Sequence, residues 1–198
     1  MKKLIETKKK IVNDWFIILQ EKMVNQFQLI EAEATKKIKK KTKYFVKRKW
    51  KKNIKKEGGG TSYLLSGGEI FDKVGVNQST VSGQFEKVFR SKILGAEKNG
   101  KYWASGISIV AHMKNPKIPA LHFNTRFIVT SKAWFGGGMD ATPSFIDKKE
   151  KNFIHQRLKT ICKLNNKNYN KYKKWCDKYF YLPHRKETRG IGGIFFDY

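Results

Sequence analysis

Residues 106–126 read GISIVAHMKNPKIPALHFNTR and divide at a linker that carries Pro116 and Pro119. Ile107 to Ala111 before the linker, and Phe127 to Val129 just past the quoted stretch, are short apolar runs that read as strands. His112 closes the first run; His122 opens the second, with Asn124 and Arg126 at alternate positions. Successive side chains on a strand point to opposite faces, so His122, Asn124 and Arg126 share one. An imidazole, an amide and a guanidinium on one face form a ligand-reading surface.

Around this stretch the pattern predicts further elements. Upstream, Leu4 to about Lys41 reads as a long amphipathic helix, with Ile11, Trp15, Ile18, Leu19, Met23, Phe27 and Ile30 as its apolar stripe. A lysine-rich connector, 42–57, ends at Gly58-Gly59-Gly60, a strong break. Glu69 to Val74, Trp103 to Ala111 and Leu121 to Thr130 read as strands. Downstream, Asp147 with Glu150 marks a helix start, and Phe153, Ile154, Leu158, Ile161 and Cys162 give that helix its apolar face. Tyr169, Tyr172, Trp175, Cys176, Tyr179 and Phe180 mark another helix, stopped by Pro183. Ile191 to Phe196 reads as a last strand. The expectation is one α+β domain over residues 1–198, an antiparallel sheet with a helical start, whose catalytic region covers 58–198.

The length of 198 residues suits one domain, and 39% hydrophobic with 14% aromatic residues is enough for a core, which excludes disorder throughout. The formal net charge of +27 fits nucleic acid, an acidic membrane surface, a polyanionic substrate, or lysine enrichment without function. No zinc-finger spacing or RNA-recognition motif supports the nucleic-acid reading beyond charge. Two cysteines, Cys162 and Cys176, build no disulfide framework and suit a reducing cytoplasm. No apolar run approaches membrane-spanning length.

Several residues could carry chemistry. The four histidines, His112, His122, His155 and His184, form no recognised local metal motif. Gly136-Gly137-Gly138 lacks a phosphate-loop lysine and serves a tight turn or a close approach to a ligand or strand. Asp140 beside it is either a cap for Ala141 to Ser144 or an acceptor for converging N–H donors. Arg126 and Arg189 can each clamp a carboxylate with a planar pair of donors, and a surface Arg–Glu pair is the competing reading.

In order, KEGGG (56–60), GEIFDKVGVNQSTVSG (68–83), GISIVAHMKNPKIPALHFNTRF (106–127), WFGGGMDATPSF (134–145) and YKKWCDKYFYLPHRKETRGIGGIFFD (172–197) resemble the oxygen-dependent coproporphyrinogen III oxidases of haem biosynthesis. The resemblance covers nearly everything after Lys55. It implies an antiparallel sheet flanked by helices on both faces, a homodimer, and oxidative decarboxylation of two propionates of coproporphyrinogen III to the vinyl groups of protoporphyrinogen IX. Oxygen is the implied co-substrate, with no flavin or haem. It further implies His122, Asp140, Arg126 and Arg189 as catalytic residues, and Ser108, Asn124, Thr125 and Arg126 as substrate contacts. A divalent cation, manganese among the candidates, is implied on His112, His122, His155 and His184. Met113-Lys114, Ala120, Ser144 and Ser82 depart from the usual family residues. A C-terminal segment with further strands, which the family carries past GGIFFD, is absent, so the expectation includes a truncated, non-catalytic remnant as an alternative.

Overall fold

The computed structural model describes residues 2–52 and 57–198. Its elements are α1 (Lys2–Lys37), β1 (Val46–Lys51), β2 (Gly58–Ser66), β3 (Phe71–Gln84), α2 (Lys87–Arg90), β4 (Lys101–Met113), β5 (Ala120–Val129), β6 (Ala133–Thr142), α3 (Lys148–Leu164), α4 (Tyr169–Tyr179), β7 (Tyr181–Leu182), β8 (Glu187–Thr188) and β9 (Gly192–Asp197). Seven strands form one antiparallel sheet in the order β1-β2-β3-β4-β5-β6-β9, and β7 and β8 make a small ribbon. This is the expected α+β fold. Neighbouring strands follow one another in the chain except at β6–β9, where α3, α4 and the ribbon intervene.

Helix α1 packs on β3 and β4. The core gathers Phe16 and Val24 of α1 with Leu65, Val74, Val76, Ile107, Ile109 and Phe127 of the sheet. The expected stripe is half right. Leu19, Met23 and Phe27 pack on the core, while Ile11, Trp15, Ile18 and Ile30 are exposed. Three polar residues, Gln20, Glu31 and Thr35, are buried on the helix and break its apolar pattern. Gln20 donates to the carbonyls of Thr61 (2.7 Å) and Val76 (2.9 Å). Glu31, fully buried, accepts from the backbone N–H groups of Glu69, Ile70 and Phe71, fastening the β2–β3 turn to the helix. Buried polar groups are tolerated because these bonds replace those made to water.

The connector expected over 42–57 contains a strand. Val46–Lys51 pairs with β2, and every residue of it is exposed. It is a sheet edge whose lysines discourage pairing with another chain. Neither glycine triplet is a break or turn. Gly58-Gly59-Gly60 begins β2, and Gly136-Gly137-Gly138 lies inside β6. Residues 53–56 of the expected connector, with Lys56 of the KEGGG string, lie outside the described residues.

Asp147 caps α3 as expected, accepting from the N–H groups of Lys149 and Glu150. Leu158 and Cys162 are buried on that helix, whereas Phe153 and Ile161 are exposed. Helix α4 ends at Tyr179, before Pro183, and packs along β9. Helices α1 and α3 meet the apolar face of the sheet, α3 by way of a groove it shares with Leu121 and Met139. The opposite face meets a helix at the β9 end, where Tyr179 stacks on Phe195 and Trp175 meets the same ring edge-on. Farther along that face Ser108 and His112 are exposed.

Candidate active site

The register assembles the site. His122 pairs across β5–β4 with Val110 and across β5–β6 with Asp140; Asn124 pairs with Ser108 and Gly138; Arg126 pairs with Gly106 and Gly136. Ser108, His112, His122, Asn124, Arg126 and Asp140 therefore project from one face, away from α1. Thr125 does not. It pairs with Ile107, so its side chain belongs to the opposite face and only its main chain borders the site.

Asp140 is 3% exposed and lies in a strand, which sets aside the helix-cap reading. Arg189 grips it with two bonds, Nε to Oδ2 at 3.0 Å and Nη2 to Oδ1 at 2.8 Å. His122 Nδ1 is buried without a hydrogen-bond partner and stands 3.6 Å from Asp140 Oδ2, within ion-pair range but beyond a normal hydrogen bond. Burial alone would raise the Asp140 carboxyl; His122 and Arg189 outweigh it and hold the group below its ordinary range. Arg189 also lies 3.8 Å from the centre of the Phe180 ring, a cation–π contact that steadies the guanidinium. The competing surface pair exists elsewhere, between exposed Arg185 and Glu187 at 2.6 Å.

A second charged pair closes the β9 end. Arg126 Nη2 donates to Asp197 Oδ2 at 2.6 Å and Nη1 to Asn124 Oδ1 at 3.4 Å, while Trp134 donates to Asp197 Oδ1 at 2.9 Å. Asp197 was missed in the sequence reading. The signal was the alternation of Phe195 and Asp197 in GIFFD, which puts both on the site face. Gly136 and Gly138 make this approach possible. A Cβ on Gly136 would strike the Asp197 carboxylate, and one on Gly138 would lie 2.9 Å from the Phe195 ring. The triplet thus serves close approach to another strand, the second of its two expected roles.

The four histidines do not assemble into a metal site. Among the described residues, no three metal-ligating side chains converge. His112 and His122 are neighbours, with ring centres 6.3 Å apart. His155 is buried on α3 with both nitrogens engaged, Nε2 with the Ile191 carbonyl at 2.8 Å and Nδ1 with the Tyr169 hydroxyl at 2.7 Å. A carbonyl only accepts, so Nε2 carries the proton and Nδ1 accepts from Tyr169, a neutral ring with no lone pair to spare. Burial lowers its pKa. His184 is exposed in the β7–β8 turn. The expected four-histidine set therefore fails on geometry, and no chemical step is routed through a metal here.

Cys162 and Cys176 are free and buried, and burial pushes the Cys176 thiol up to about 12. It stays protonated near neutral pH and supplies no nucleophile.

The profile of the coproporphyrinogen III oxidase family matches residues 12–198. Among curated relatives, the oxygen-dependent coproporphyrinogen-III oxidase of Rickettsia akari (strain Hartford) is 50% identical over 191 residues. Those of Rickettsia rickettsii (strain Sheila Smith) and Rickettsia bellii (strain OSU 85-389) are each 49% identical over 191 residues. Each alignment covers 96% of this chain and 67% of the relative. No helix among the described residues is long and apolar enough to cross a membrane. With a profile match over nearly its whole length and relatives at half identity, this chain belongs to the coproporphyrinogen III oxidase family.

Proposed function

We propose that the chain acts in oxygen-dependent oxidative decarboxylation of coproporphyrinogen III to protoporphyrinogen IX, a step of porphyrin biosynthesis. The observation that carries this reading is the row of His122, Asn124 and Arg126 on β5, with Asp140 opposite His122 on β6, on the sheet face opposite the core. Each vinyl group formed requires loss of carbon dioxide and two electrons from a propionate side chain, with oxygen as the acceptor.

In this reading Arg126 clamps a propionate carboxylate, and Asn124 and Ser108 fix it by hydrogen bonds. His122 moves a proton at its ring nitrogens. Its unpartnered Nδ1, 3.6 Å from Asp140, has a carboxylate at hand to stabilise positive charge on the ring. Asp140, kept ionised by His122 and Arg189, also offers negative charge where positive charge develops on electron-rich pyrroles. Arg189 takes one lone pair on each carboxylate oxygen, which leaves a second on each to accept a pyrrole N–H. Homodimer formation and cytoplasmic location belong to the same reading; the free thiols support the second.

The test is aerobic incubation of the purified chain with coproporphyrinogen III, following oxygen uptake and, after oxidation of the products, protoporphyrin fluorescence. Protoporphyrin should form, and His122→Ala should slow it about a thousandfold, the order expected for removing a proton-transfer group. A folded chain that gives no product at high concentration defeats the proposal.

A further inference from the structure

On the site face, beyond His112, a cavity of about 420 Å³ opens over β1 to β4. Its polar lining is Arg48, Ser62, Lys73, Asn77 and His112, and it contains no Asp or Glu. Every ionisable side chain of the lining except the Tyr63 phenol is basic. The guanidinium of Arg48 and the ammonium of Lys73 take part in no ion pair among the described residues, although most carboxylates near the sheet are already paired. Unpaired cations gathered in a concave basin favour an anion, and a guanidinium beside an ammonium, an amide and a hydroxyl matches a carboxylate.

The basin is continuous with the proposed site. Arg48, Ser62, Asn77, Ser108 and Asn124 are successive cross-strand partners in one row, and Lys73 pairs with His112 in the row beyond Val110 and His122. From His122, Lys73 lies two strands across and one two-residue step along, roughly 12 Å by standard strand spacings. One arginine at the β9 end cannot hold all the carboxylates of a tetracarboxylate that large, whereas cations at both ends of the face hold it in a defined orientation.

We infer that this basin is a second carboxylate subsite, in which Arg48 and Lys73 bind a propionate other than the one held by Arg126 and so set which side chain meets His122. The inference rests on the oxidase reading for the identity of the substrate, and its test uses binding as well as turnover. Coproporphyrin III carries four carboxylates and mesoporphyrin two, so fluorescence titration of the full chain with both isolates the contribution of the extra anions. The wild-type chain should prefer coproporphyrin. Arg48→Ala/Lys73→Ala should weaken coproporphyrin binding about tenfold, the scale of a lost charge-assisted contact, and change mesoporphyrin binding less than about twofold. Lys73→Arg should preserve the preference. In turnover, the double variant should lower kcat/KM about tenfold, with part of the loss in kcat because the substrate no longer docks in one orientation. Both residues are exposed, so the melting temperature should hold. Unchanged coproporphyrin affinity in the double variant, or an equal loss for both porphyrins, overturns the subsite and leaves the oxidase reading standing. A wild-type chain that shows the preference and the tenfold loss but makes no product overturns the oxidase reading and leaves the subsite. A wild-type chain that binds no coproporphyrin overturns both.

Discussion

The two faces of β3, β4 and β5 come from the same residues read one position apart. Val74, Val76, Ile107, Ile109, Ala111 and Phe127 are buried under α1, while Lys73, Asn77, Ser108, His112, His122 and Arg126 alternate with them on the other side. On the first face, area removed from water holds the fold. On the second, charge pairs hold geometry, and several cations remain uncompensated. A one-residue slip of any strand would exchange the faces, so the apolar pattern that seats α1 also decides which side chains can meet a ligand.

The largest expected effect separates the faces by stability. Phe16 is 1% exposed at the centre of the α1 contact. Phe16→Ala should cost about 4 kcal/mol from the lost burial and the cavity left behind, or about 10 °C in Tm, with porphyrin affinity of the folded fraction unchanged. Thermal unfolding with a parallel fluorescence titration checks both parts. A large affinity loss in the folded fraction would mean the faces are not independent.

Next comes the charged pair of the second face. Arg189→Met leaves Asp140 buried without its main partner and should cost about 3 kcal/mol, most of it recovered when Asp140→Asn is added. The pH dependence follows from the lowered Asp140 pKa. Its contribution is present above the ordinary carboxylate value and is lost as pH falls through the lowered one. Urea midpoints between pH 2 and 5 should therefore show an acid limb in the wild type that Arg189→Met flattens.

His155 sharpens the comparison at the α3 edge. Its lowered pKa means the neutral ring belongs to the fold. That contribution is full above the unfolded value near 6.5 and declines as pH falls toward the lowered folded value. His155→Ala should cost about 2 kcal/mol at pH 8, because the Ile191 carbonyl and Tyr169 hydroxyl lose their partner, and less at pH 5. The smallest effect is at the exposed Arg185–Glu187 pair. Arg185→Ala should shift stability by less than about 0.5 kcal/mol, as surface pairs do.

Strands with clean alternation were legible from the start, which is why the common face of His122, Asn124 and Arg126 follows from residues 106–126 alone. Strands without it were not. Gly58 to Ser66 and Ala133 to Thr142 begin with or contain glycine triplets, which usually punctuate. Here the triplet of β6 lacks side chains because β9 brings Asp197 and Phe195 against it. The helix stripe drifted because Gln20 and Glu31 spend buried positions on backbone hydrogen bonds that no apolar period can register.

The sequence by itself determined the fold class, the family, and the face that His122, Asn124 and Arg126 share, because alternation and helical spacing are local properties of neighbouring residues. Only the tertiary structure decided the partners: Asp140 with Arg189, 49 residues apart; Arg126 with Asp197, 71 apart; and His155 with the Ile191 carbonyl, 36 apart. The reason is physical. Each of these contacts depends on β9 folding back beside β6 after two helices, and no local pattern of charge or hydrophobicity encodes where a chain returns.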